Sequence, residues 1–482
     1  MKELDLQDKY LVNFLTERPD GLRYKEVKAN TVSQQFFIVE DLKYFITNTT
    51  LNKDNYRKLL RKFSSEKEVF DKLMEFLNQR IKEAMNMAIF INSNKSVTFE
   101  GIKLHLFYPS GSETHEDKLF DENIFSVVQE LPYTFRLEGK QIFSFRPDLS
   151  FFVNGIYLGY SELKSNYNNQ NARDNGRKKV AKDYLQTVQA YLEIAEGNDN
   201  NQSIRKEFLK IFEKAIHITS TDINDTYVIR NVSNQFDEIK NTVAGGNYDF
   251  DTYNKKLFND FKPYPLRNKA GSKTERFEEA FKALYEKKMI EKEILYYNFI
   301  ERELVKKESS RGKEYKHNDG RLISPRPKQK FGADKVMSKI GEFLEHEAEP
   351  DYFINKLRAE LKAKGLGDAQ AEELVAKRQK YQNNKTVYSL LLQYAAGFGK
   401  SNIIGWSALQ LKDLRKDGEY IYDKVMLVVD RVQLRDQLDT KMHNLNIQKS
   451  MFVEAYNQTT FKEALKSDTR IVVVNLQKFY LC

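Results

Sequence analysis

The residues of this chain best suited to catalysis lie in one short stretch, where a Pro-Asp pair is followed by a Glu-Leu-Lys triplet. Asp148 ends the Pro-Asp pair, and Glu162 and Lys164 flank a leucine beyond an Asn-Gly pair that is typical of a hairpin turn. Two such carboxylates can hold Mg²⁺, while the cation and a lysine stabilise charge on an attacked phosphate and help to activate water. The stretch therefore predicts metal-assisted cleavage of a phosphodiester.

A second copy of the same letters lies further along the chain, at Pro350-Asp351 and Glu360-Leu361-Lys362. There the apolar residues recur at helical spacing, which predicts a helix whose charges are solvated. Around the first copy the apolar residues alternate on both sides of the turn, which predicts two β-strands. Spacing alone leaves two interpretations of the first copy open, a metal site or an ordinary surface hairpin.

The register of the hairpin separates these interpretations, because neighbouring residues of a strand point to opposite faces. A plain two-residue Asn-Gly turn would place Asp148 and Glu162 on opposite faces, so that no shared metal site could form. A three-residue loop, with Gly155 left-handed as a bulge, would place both carboxylates on one face together with Tyr160 and Lys164. We predict the three-residue, bulged register.

The segment 393–401, which reads Gln-Tyr-Ala-Ala-Gly-Phe-Gly-Lys-Ser, has the composition of a phosphate-binding loop. Gly397 and Gly399 allow backbone N–H groups to close around phosphate oxygens. Lys400 can reach the β- and γ-phosphates of a nucleotide, and the Ser401 hydroxyl can bind Mg²⁺. The segment therefore predicts a nucleotide site, against the alternative of an ordinary glycine-rich turn.

The loop departs from a strict P-loop at Tyr394, which stands where that motif has its first glycine. Its form, Ala-x-Gly-x-Gly-Lys-Ser, is that of ATPases that move along nucleic acids. An apolar run predicts a strand that enters the loop at 388–393, and apolar runs at 424–430 and 470–475 predict further strands of a parallel sheet.

Composition fits a globular protein, with 40% hydrophobic and 30% charged residues. The net charge of +9 arises from 78 basic and 69 acidic residues, which favours a polyanionic partner only modestly. The one cysteine, Cys482, excludes a disulfide within the chain. The N-terminus has no apolar signal core and no apolar run could span a bilayer, so we expect a cytoplasmic protein without membrane partners.

The hairpin and the phosphate loop together resemble the restriction (R) subunit of type I restriction–modification enzymes. The resemblance is carried along most of the chain by the segments 123–129, 146–148, 153–155, 162–165, 325–329, 393–406, 428–438 and 475–479.

The resemblance implies a fold and a domain order. Residues 1–240 would form an endonuclease domain of the PD-(D/E)xK α/β type with a helical N-terminal part, and 241–320 a linker or helical connection. Residues 321–482 would form the N-terminal portion of the first RecA-like motor domain, a parallel-sheet P-loop domain of helicase superfamily 2.

The resemblance also implies site residues. Asp148 and Glu162 would be Mg²⁺ ligands with Lys164 as the charge-stabilising partner. Gly397, Gly399, Lys400 and Ser401 would lie at the ATP phosphates, with Ser401 on a second Mg²⁺. Gln329, with Arg326 in the same segment, would lie at the adenine. The substrate would be double-stranded DNA, cut after ATP-driven translocation in a complex with the modification (M) and specificity (S) subunits.

Two departures from the family pattern affect these expectations. Gln186 and Tyr191, the candidates for supporting the nuclease site from a helix, are one residue further apart than the family's Gln-x-x-x-Tyr motif. The acidic motif that activates water for ATP hydrolysis and the second motor lobe do not occur before Cys482. We therefore expect an N-terminal part of a longer subunit, without translocation and with negligible ATP turnover.

Two other functions are compatible with the sequence. The chain could be a helicase-like ATPase of another defence or repair system that carries a related nuclease domain. It could also be a truncated, non-catalytic remnant that binds DNA or partner subunits.

Overall fold

The computed structural model describes residues 11–111, 114–137, 140–165, 169–195, 202–230, 262–264, 273–302, 304–309, 312–317, 320–349, 351–381, 390–416, 418–430, 452–455 and 457–478. Among the helices in these ranges, none combines the length and apolar character needed to cross a bilayer.

The first part of the chain mixes helices and strands. Its helices are α1 (Asn13–Thr16), α2 (Val39–Asn48), α3 (Lys53–Leu60), α4 (Glu66–Glu83), α5 (Met87–Ser93), α6 (Thr114–Asp121), α7 (Arg177–Ala195), α8 (Gln202–Phe208) and α9 (Lys210–Glu213). Its strands are β1 (Lys25–Val27), β2 (Ser96–Phe99), β3 (Ile102–His105), β4 (Phe125–Gln129), β5 (Tyr133–Leu137), β6 (Lys140–Phe145), β7 (Leu149–Val153), β8 (Ile156–Leu163), β9 (His217–Thr221), β10 (Thr226–Ile229) and β11 (Lys262–Pro263).

The second part also contains both helices and strands. Its helices are α10 (Lys273–Tyr285), α11 (Lys287–Lys292), α12 (Pro327–Glu345), α13 (Tyr352–Ala363), α14 (Asp368–Tyr381), α15 (Lys400–Lys412) and α16 (Gln458–Lys466). Its strands are β12 (Phe299–Glu301), β13 (Leu304–Ser309), β14 (Gly312–His317), β15 (Arg321–Ile323), β16 (Arg415–Lys416), β17 (Glu419–Tyr420), β18 (Val425–Val429), β19 (Phe452–Ala455) and β20 (Ile471–Asn475).

A seven-stranded mixed sheet, in the order β1-β4-β7-β8-β9-β10-β11, forms the centre of the first part. β1 pairs with β4 and β8 pairs with β9 in parallel, and the other neighbouring strands are antiparallel. All residues of β7 and β8 are buried, because helices and loops cover both faces of the sheet. The mixed α/β architecture agrees with the expected fold class at this level.

The hairpin formed by β7 and β8 differs from the predicted register. Val153 pairs with Ile156, so the turn has two residues, Asn154 and Gly155, with φ of 49° and 78°. The predicted three-residue loop is therefore wrong. A bulge occurs within β8 instead, because Phe152 pairs with Tyr157 whereas Phe151 pairs with Gly159.

This bulge restores the predicted face. Beyond it Leu149 pairs with Ser161, which sets Asp148 opposite Glu162. The prediction that the two carboxylates share a face is thus confirmed, although the extra residue is Leu158 and not part of the turn. The close approach of β9 accounts for the glycine that follows, since a Cβ on Gly159 would lie 2.3 Å from the carbonyl oxygen of His217.

The core of the first part includes residues from beyond its predicted end at 240. α10 contributes Phe281 and Tyr285 to the same cluster of buried side chains as Phe151 of β7. The rings of Phe151 and Tyr285 stack with centroids 4.0 Å apart, and the Tyr285 hydroxyl lies 2.9 Å from Thr219 Oγ1. The segment 273–297 therefore covers the sheet.

A buried set of charged side chains joins β10, the π-helical turn Glu293–Tyr297 and α12. Arg230 makes a bidentate pair with Glu293, with nitrogen–oxygen distances of 2.7 and 2.8 Å. Lys330 lies 4.0 Å from Glu293 and donates to Asp334 at 2.6 Å. Because all four side chains are at most 9% exposed, their charges can be stable only if they compensate one another.

The second part contains a three-stranded parallel sheet in the order β18-β20-β19. β20 is central and fully buried, which explains its uninterrupted apolar sequence. The strand predicted at 388–393 is not present over residues 390–393, where Leu391 is 92% exposed, and 388–389 lie outside the described residues.

The second Pro-Asp…Glu-Leu-Lys copy is helical, as predicted. α13 spans Tyr352–Ala363 and carries Glu360 and Lys362 on a partly exposed helix without buried residues. Pro350 lies outside the described residues. Substitutions in this copy can therefore serve as controls for the matching substitutions in the hairpin.

Candidate active site and phosphate loop

Asp148 stands at the entrance to β7, with its carboxylate directed at the end of β8. Its Oδ2 accepts a hydrogen bond from the backbone N–H of Leu163 at 2.6 Å. Its own carbonyl oxygen accepts from Glu130 N at 2.9 Å, which fixes the backbone before the strand. The carboxylate is thus held beside Glu162.

Glu162 is fully buried and binds two ammonium groups. Its Oε1 accepts from Lys164 Nζ at 2.7 Å and from Lys179 Nζ at 2.6 Å. Lys164 belongs to the hairpin, whereas Lys179 reaches the site from the first turn of α7. The structure therefore brings together the three predicted residues Asp148, Glu162 and Lys164, and adds a second lysine.

α7 approaches the hairpin closely because the turn that precedes it ends in a glycine, Gly176. The π-helical turn Ala172–Gly176 precedes α7, and a Cβ on Gly176 would lie 2.1 Å from Ser220 Oγ and 3.1 Å from Lys164 Cγ. Ser220 Oγ also donates to the Ala172 carbonyl at 2.9 Å. This contact fixes the distance between the start of α7 and the strand that carries Glu162.

A third carboxylate, Asp183, lies one turn beyond Lys179 on α7. Among the residues that the structure describes, Asp183 Oδ2, Glu162 Oε2 and the Tyr160 hydroxyl are buried without a hydrogen-bond partner. Asp183, Glu162 and Asp148 all act electrostatically on the Tyr160 hydroxyl. Unsatisfied buried oxygens of this kind are costly unless another group binds them.

The electrostatics of the site reflect burial and crowding. Burial, and then the charge of Glu162, raise the pKa of Asp148 from 3.8 to about 7, against the opposing effects of the Leu163 N–H and the two lysines. Burial likewise raises the pKa of Asp183 from 3.8 to about 7, with Lys179 opposing it. Burial also raises the pKa of Tyr160 well above its usual range.

Asp148 and Glu162 could hold a divalent cation through hard oxygen ligands. Within the described ranges, no group of three or more His, Cys, Asp or Glu side chains is arranged as a ready ligand set. Mg²⁺, however, commonly takes only one or two carboxylates and completes its shell with water and phosphate oxygens. The free Glu162 Oε2 beside Asp148 fits that mode of binding.

The two helix residues nominated from the sequence lie elsewhere on α7. Gln186 is exposed, and Tyr191 is buried with its ring 6.2 Å from that of Phe208. Lys179 of α7 binds the hairpin at Glu162, and Asp183 interacts with the same groups electrostatically; sequence reasoning missed both. Their spacing of four residues on one helix face was the available signal, but such pairs are common on solvated helices.

The phosphate loop lies directly before α15 and contains two left-handed glycines. Gly397 and Gly399 have φ of 72° and 83°, and Gly399 is the N-cap of α15. Lys400 folds back over the loop and donates to the carbonyls of Tyr394 and Ala395 at 3.2 and 3.0 Å. The loop thus presents a helix N-terminus and a lysine at one place, as anion binding requires.

Gln329 joins the loop to α12. Its Nε2 donates to the Phe398 carbonyl at 2.6 Å, and its Oε1 accepts from Arg326 N at 2.8 Å. Gln329 is buried, whereas the Arg326 side chain is exposed at the start of α12. The structure therefore brings the predicted glutamine to the phosphate loop.

Tyr394, which replaces the first glycine of a strict P-loop, packs between Phe398 and Gly332. Its ring stacks on that of Phe398 with centroids 4.7 Å apart. On its other side it passes α12 at Gly332, where a Cβ would lie 1.9 Å from the Tyr394 hydroxyl. Gly332 therefore makes room for the tyrosine that the loop carries.

The segments after β18 and β20 meet at the carboxyl edge of the parallel sheet. Asn475 Nδ2 and Gln477 Nε2 lie 3.5 and 3.3 Å from the Asp430 carbonyl oxygen. The predicted motor-motif residues Arg431, Gln437 and Phe479 lie outside the described residues.

Comparison with protein families gives two matches, one in each part of the chain. Residues 25–198 match the family described as type I restriction enzyme R protein N terminus. The predicted resemblance to that R subunit is confirmed. Residues 372–481 match the SWI2/SNF2 ATPase family. The order of an R-protein region followed by an ATPase segment is the order expected from the two motifs.

The match to the R-protein N terminus covers the whole hairpin and the start of α7, including Asp148, Glu162, Lys164, Lys179 and Asp183. The ATPase match covers the phosphate loop and the parallel sheet. Both matches fit a restriction-system protein of the nuclease and ATPase type. No curated protein and no solved structure gives a significant match to the chain.

Proposed function

We propose that this chain carries a PD-(D/E)xK nuclease site that cleaves double-stranded DNA with Mg²⁺, and a RecA-like site that binds ATP. The observation that carries the proposal is the arrangement at Glu162. A fully buried carboxylate accepts from two ammonium groups, faces a second carboxylate, and keeps one oxygen free of hydrogen bonds among the described residues. A surface hairpin with scattered charges would have no reason to bury this set.

Asp148 and Glu162 would hold the Mg²⁺ in this proposal. When bound, the cation would supply an activated water and would stabilise charge on the phosphate. The Leu163 N–H orients Asp148, and Lys164 orients Glu162 from within the same strand end. The burial of these groups excludes bulk water, so that their charges act strongly on a phosphate at the site.

The ATP site of the proposal is built from the phosphate loop and α12. Gly397 and Gly399 expose backbone N–H groups, Lys400 would leave the carbonyls of Tyr394 and Ala395 for the phosphates, and Ser401 would contribute to a second Mg²⁺. Gln329, whose amide donates to the Phe398 carbonyl, would couple the binding of adenine to the conformation of the loop. In a complete type I enzyme, with M and S subunits, this ATP site would drive DNA translocation.

The nuclease proposal is tested by Asp148→Ala, measured as nicking of supercoiled plasmid DNA in Mg²⁺. We expect the substitution to lower the rate at least about 100-fold, because the cation loses one of its two protein ligands. Asp351→Ala is the matched control, since Asp351 is the corresponding aspartate of the second Pro-Asp…Glu-Leu-Lys copy, at the start of α13. This substitution should leave the rate unchanged. Equal nicking by the unmodified chain and the Asp148→Ala chain would contradict the proposal.

The nucleotide proposal is tested by Lys400→Ala, measured as binding of a fluorescent ATP analogue. We expect at least about a tenfold loss of affinity, because a charge-assisted contact to the phosphates is removed. Lys362→Ala on α13 serves as the control for a lost surface lysine. Unchanged affinity in the Lys400→Ala chain would exclude the assigned role of the loop.

A further inference from the structure

We propose that Lys179 is the second cation of the nuclease site and the lysine that contacts the phosphate of a bound DNA strand. This inference rests on the proposed nuclease function and assigns that site a residue from outside the hairpin. Lys179 Nζ lies 2.6 Å from Glu162 Oε1, at least as close as Lys164 Nζ at 2.7 Å.

The two lysines differ in what else holds them. The side chain of Lys164 is 9% exposed, donates to the Leu163 carbonyl at 2.7 Å as well as to Glu162, and lies under Gly176. The side chain of Lys179 is 41% exposed and enters from solvent along α7. Lys164 is therefore fixed beside Glu162, whereas Lys179 can leave that carboxylate and meet a ligand that approaches from outside.

The charge of the site explains why a second ammonium group matters there. The carboxylates of Asp148, Glu162 and Asp183 outnumber the two ammonium groups, so the ionised site carries one net negative charge. A divalent cation would change that to one positive charge, which attracts a phosphodiester. Without Lys179 the loaded site would be neutral, and this attraction would be lost.

Asp183 gives Lys179 a second partner within reach. It lies four residues further along α7, the spacing at which side chains of a helix are neighbours, and Lys179 exerts the largest electrostatic effect of any charged group on it. Asp183 therefore offers a second carboxylate to the Lys179 ammonium when that ammonium leaves Glu162.

The first test measures divalent-cation binding by calorimetry, titrating Mn²⁺ into the unmodified, Lys179→Ala and Lys178→Ala chains. Lys179→Ala should bind Mn²⁺ about tenfold more tightly, because an ammonium that competes for Glu162 and repels the cation is gone. Lys178→Ala, the exposed neighbour on the same helix, should bind Mn²⁺ as the unmodified chain does. Unchanged or weaker Mn²⁺ binding by Lys179→Ala would overturn the proposal.

The second test measures plasmid nicking at saturating Mg²⁺. Lys179→Ala should lower the rate about 100-fold, and Lys179→Arg should restore at least a tenth of it, because the charge is kept on a side chain of similar reach. Nicking by Lys179→Ala at the unmodified rate would overturn the role of Lys179 alone. Absence of any Asp148-dependent nicking in the unmodified chain would instead overturn the nuclease function itself.

Discussion

At the residue scale, the carboxyl group of Asp148 is retained in surroundings that oppose its charge. Its raised pKa means that the folded chain still binds a proton at pH values where the unfolded chain, with a pKa near 3.8, has released it. Asp148 therefore lowers stability progressively as the pH rises from about 4 to about 7, and by a constant amount above that. Such a residue is retained for its chemistry and not for stability.

Asp148→Asn should accordingly stabilise the chain, and by roughly 2 kcal/mol more at pH 8 than at pH 5.5. The amide keeps an oxygen that can accept from Leu163 N but carries no charge at either pH. Urea unfolding of both chains at the two pH values measures the difference. The exposed control Asp351→Asn should change the free energy of unfolding by less than about 0.5 kcal/mol at either pH.

The residues of the site were predictable from sequence only where they follow one another in the chain. Asp148, Glu162 and Lys164 share a hairpin, so local pattern sufficed to bring them together. Lys179 and Asp183 reach the site because α7 packs over the hairpin at Gly176, a tertiary contact with no local pattern. The sequence therefore favoured Gln186 and Tyr191, which lie further along the same helix.

At the element scale, the β7–β8 turn is fixed by contacts that a sequence does not display. Asn154 donates to the Leu106 carbonyl and to Asn123 Oδ1 at 2.9 Å each, and accepts from Ile124 N at 2.7 Å. These buried contacts hold the two-residue turn and move the extra residue into β8. The predicted face was right because one bulge has the same effect on alternation wherever it lies between the two carboxylates.

Gly155→Ala should destabilise the chain by at least about 3 kcal/mol, because a left-handed φ of 78° is combined with a Cβ only 2.5 Å from the Ile38 carbonyl oxygen. Gly101→Ala is the matched control. Gly101 has a similar φ of 73°, but its nearest neighbour would be a lysine nitrogen at 3.8 Å. Its substitution should cost about 1 kcal/mol, so thermal unfolding of the two variants separates the clash from the backbone strain.

Gly332→Ala should weaken binding of an ATP analogue about tenfold, because the new methyl group displaces the Tyr394 ring that stacks beneath the phosphate loop. Gly341→Ala, on the same helix with open space around it, should leave binding unchanged and stabilise α12 by about 1 kcal/mol. Equal nucleotide affinity in the two variants would show that the packing of Tyr394 has no influence on nucleotide binding by the loop.

The composition of a segment did not always predict its secondary structure. Residues 306–317 have the strongly charged composition of a surface loop, yet residues 306–309 and 312–317 lie in the paired strands β13 and β14. Conversely, the apolar run that predicts a strand before the phosphate loop is not paired over 390–393. Pairing partners decide such segments, and the composition of one segment does not identify its partner.

At the scale of the whole molecule, the buried charges at Arg230, Glu293, Lys330 and Asp334 connect the sheet of the first part to α12. Arg230 holds the pKa of Glu293 at about 2 despite its complete burial. The pair therefore contributes its full stability above pH 4.5 and loses it as the pH falls toward 2. Lys330 follows Gln329 directly, so this set of charges adjoins the contact that holds the phosphate loop.

Glu293→Gln should destabilise the chain by about 3 to 5 kcal/mol at neutral pH, since it leaves two buried cations with reduced compensation. Glu373→Gln, which removes the exposed partner of Lys377, should have little effect on the free energy of unfolding. Urea unfolding measures both. A loss in Glu293→Gln no larger than in Glu373→Gln would show that the buried pair carries no net stabilisation.

The stacking of Tyr285 on Phe151 has a consequence for the order in which the protein is made. A sheet whose cover includes residues up to 297 cannot close its core while the ribosome has released only the first 240 residues. Folding of this part during synthesis must wait for α10 and α11, but not for the phosphate loop, which emerges about a hundred residues later. We therefore expect each newly made chain to fold around the hairpin before its phosphate loop is complete.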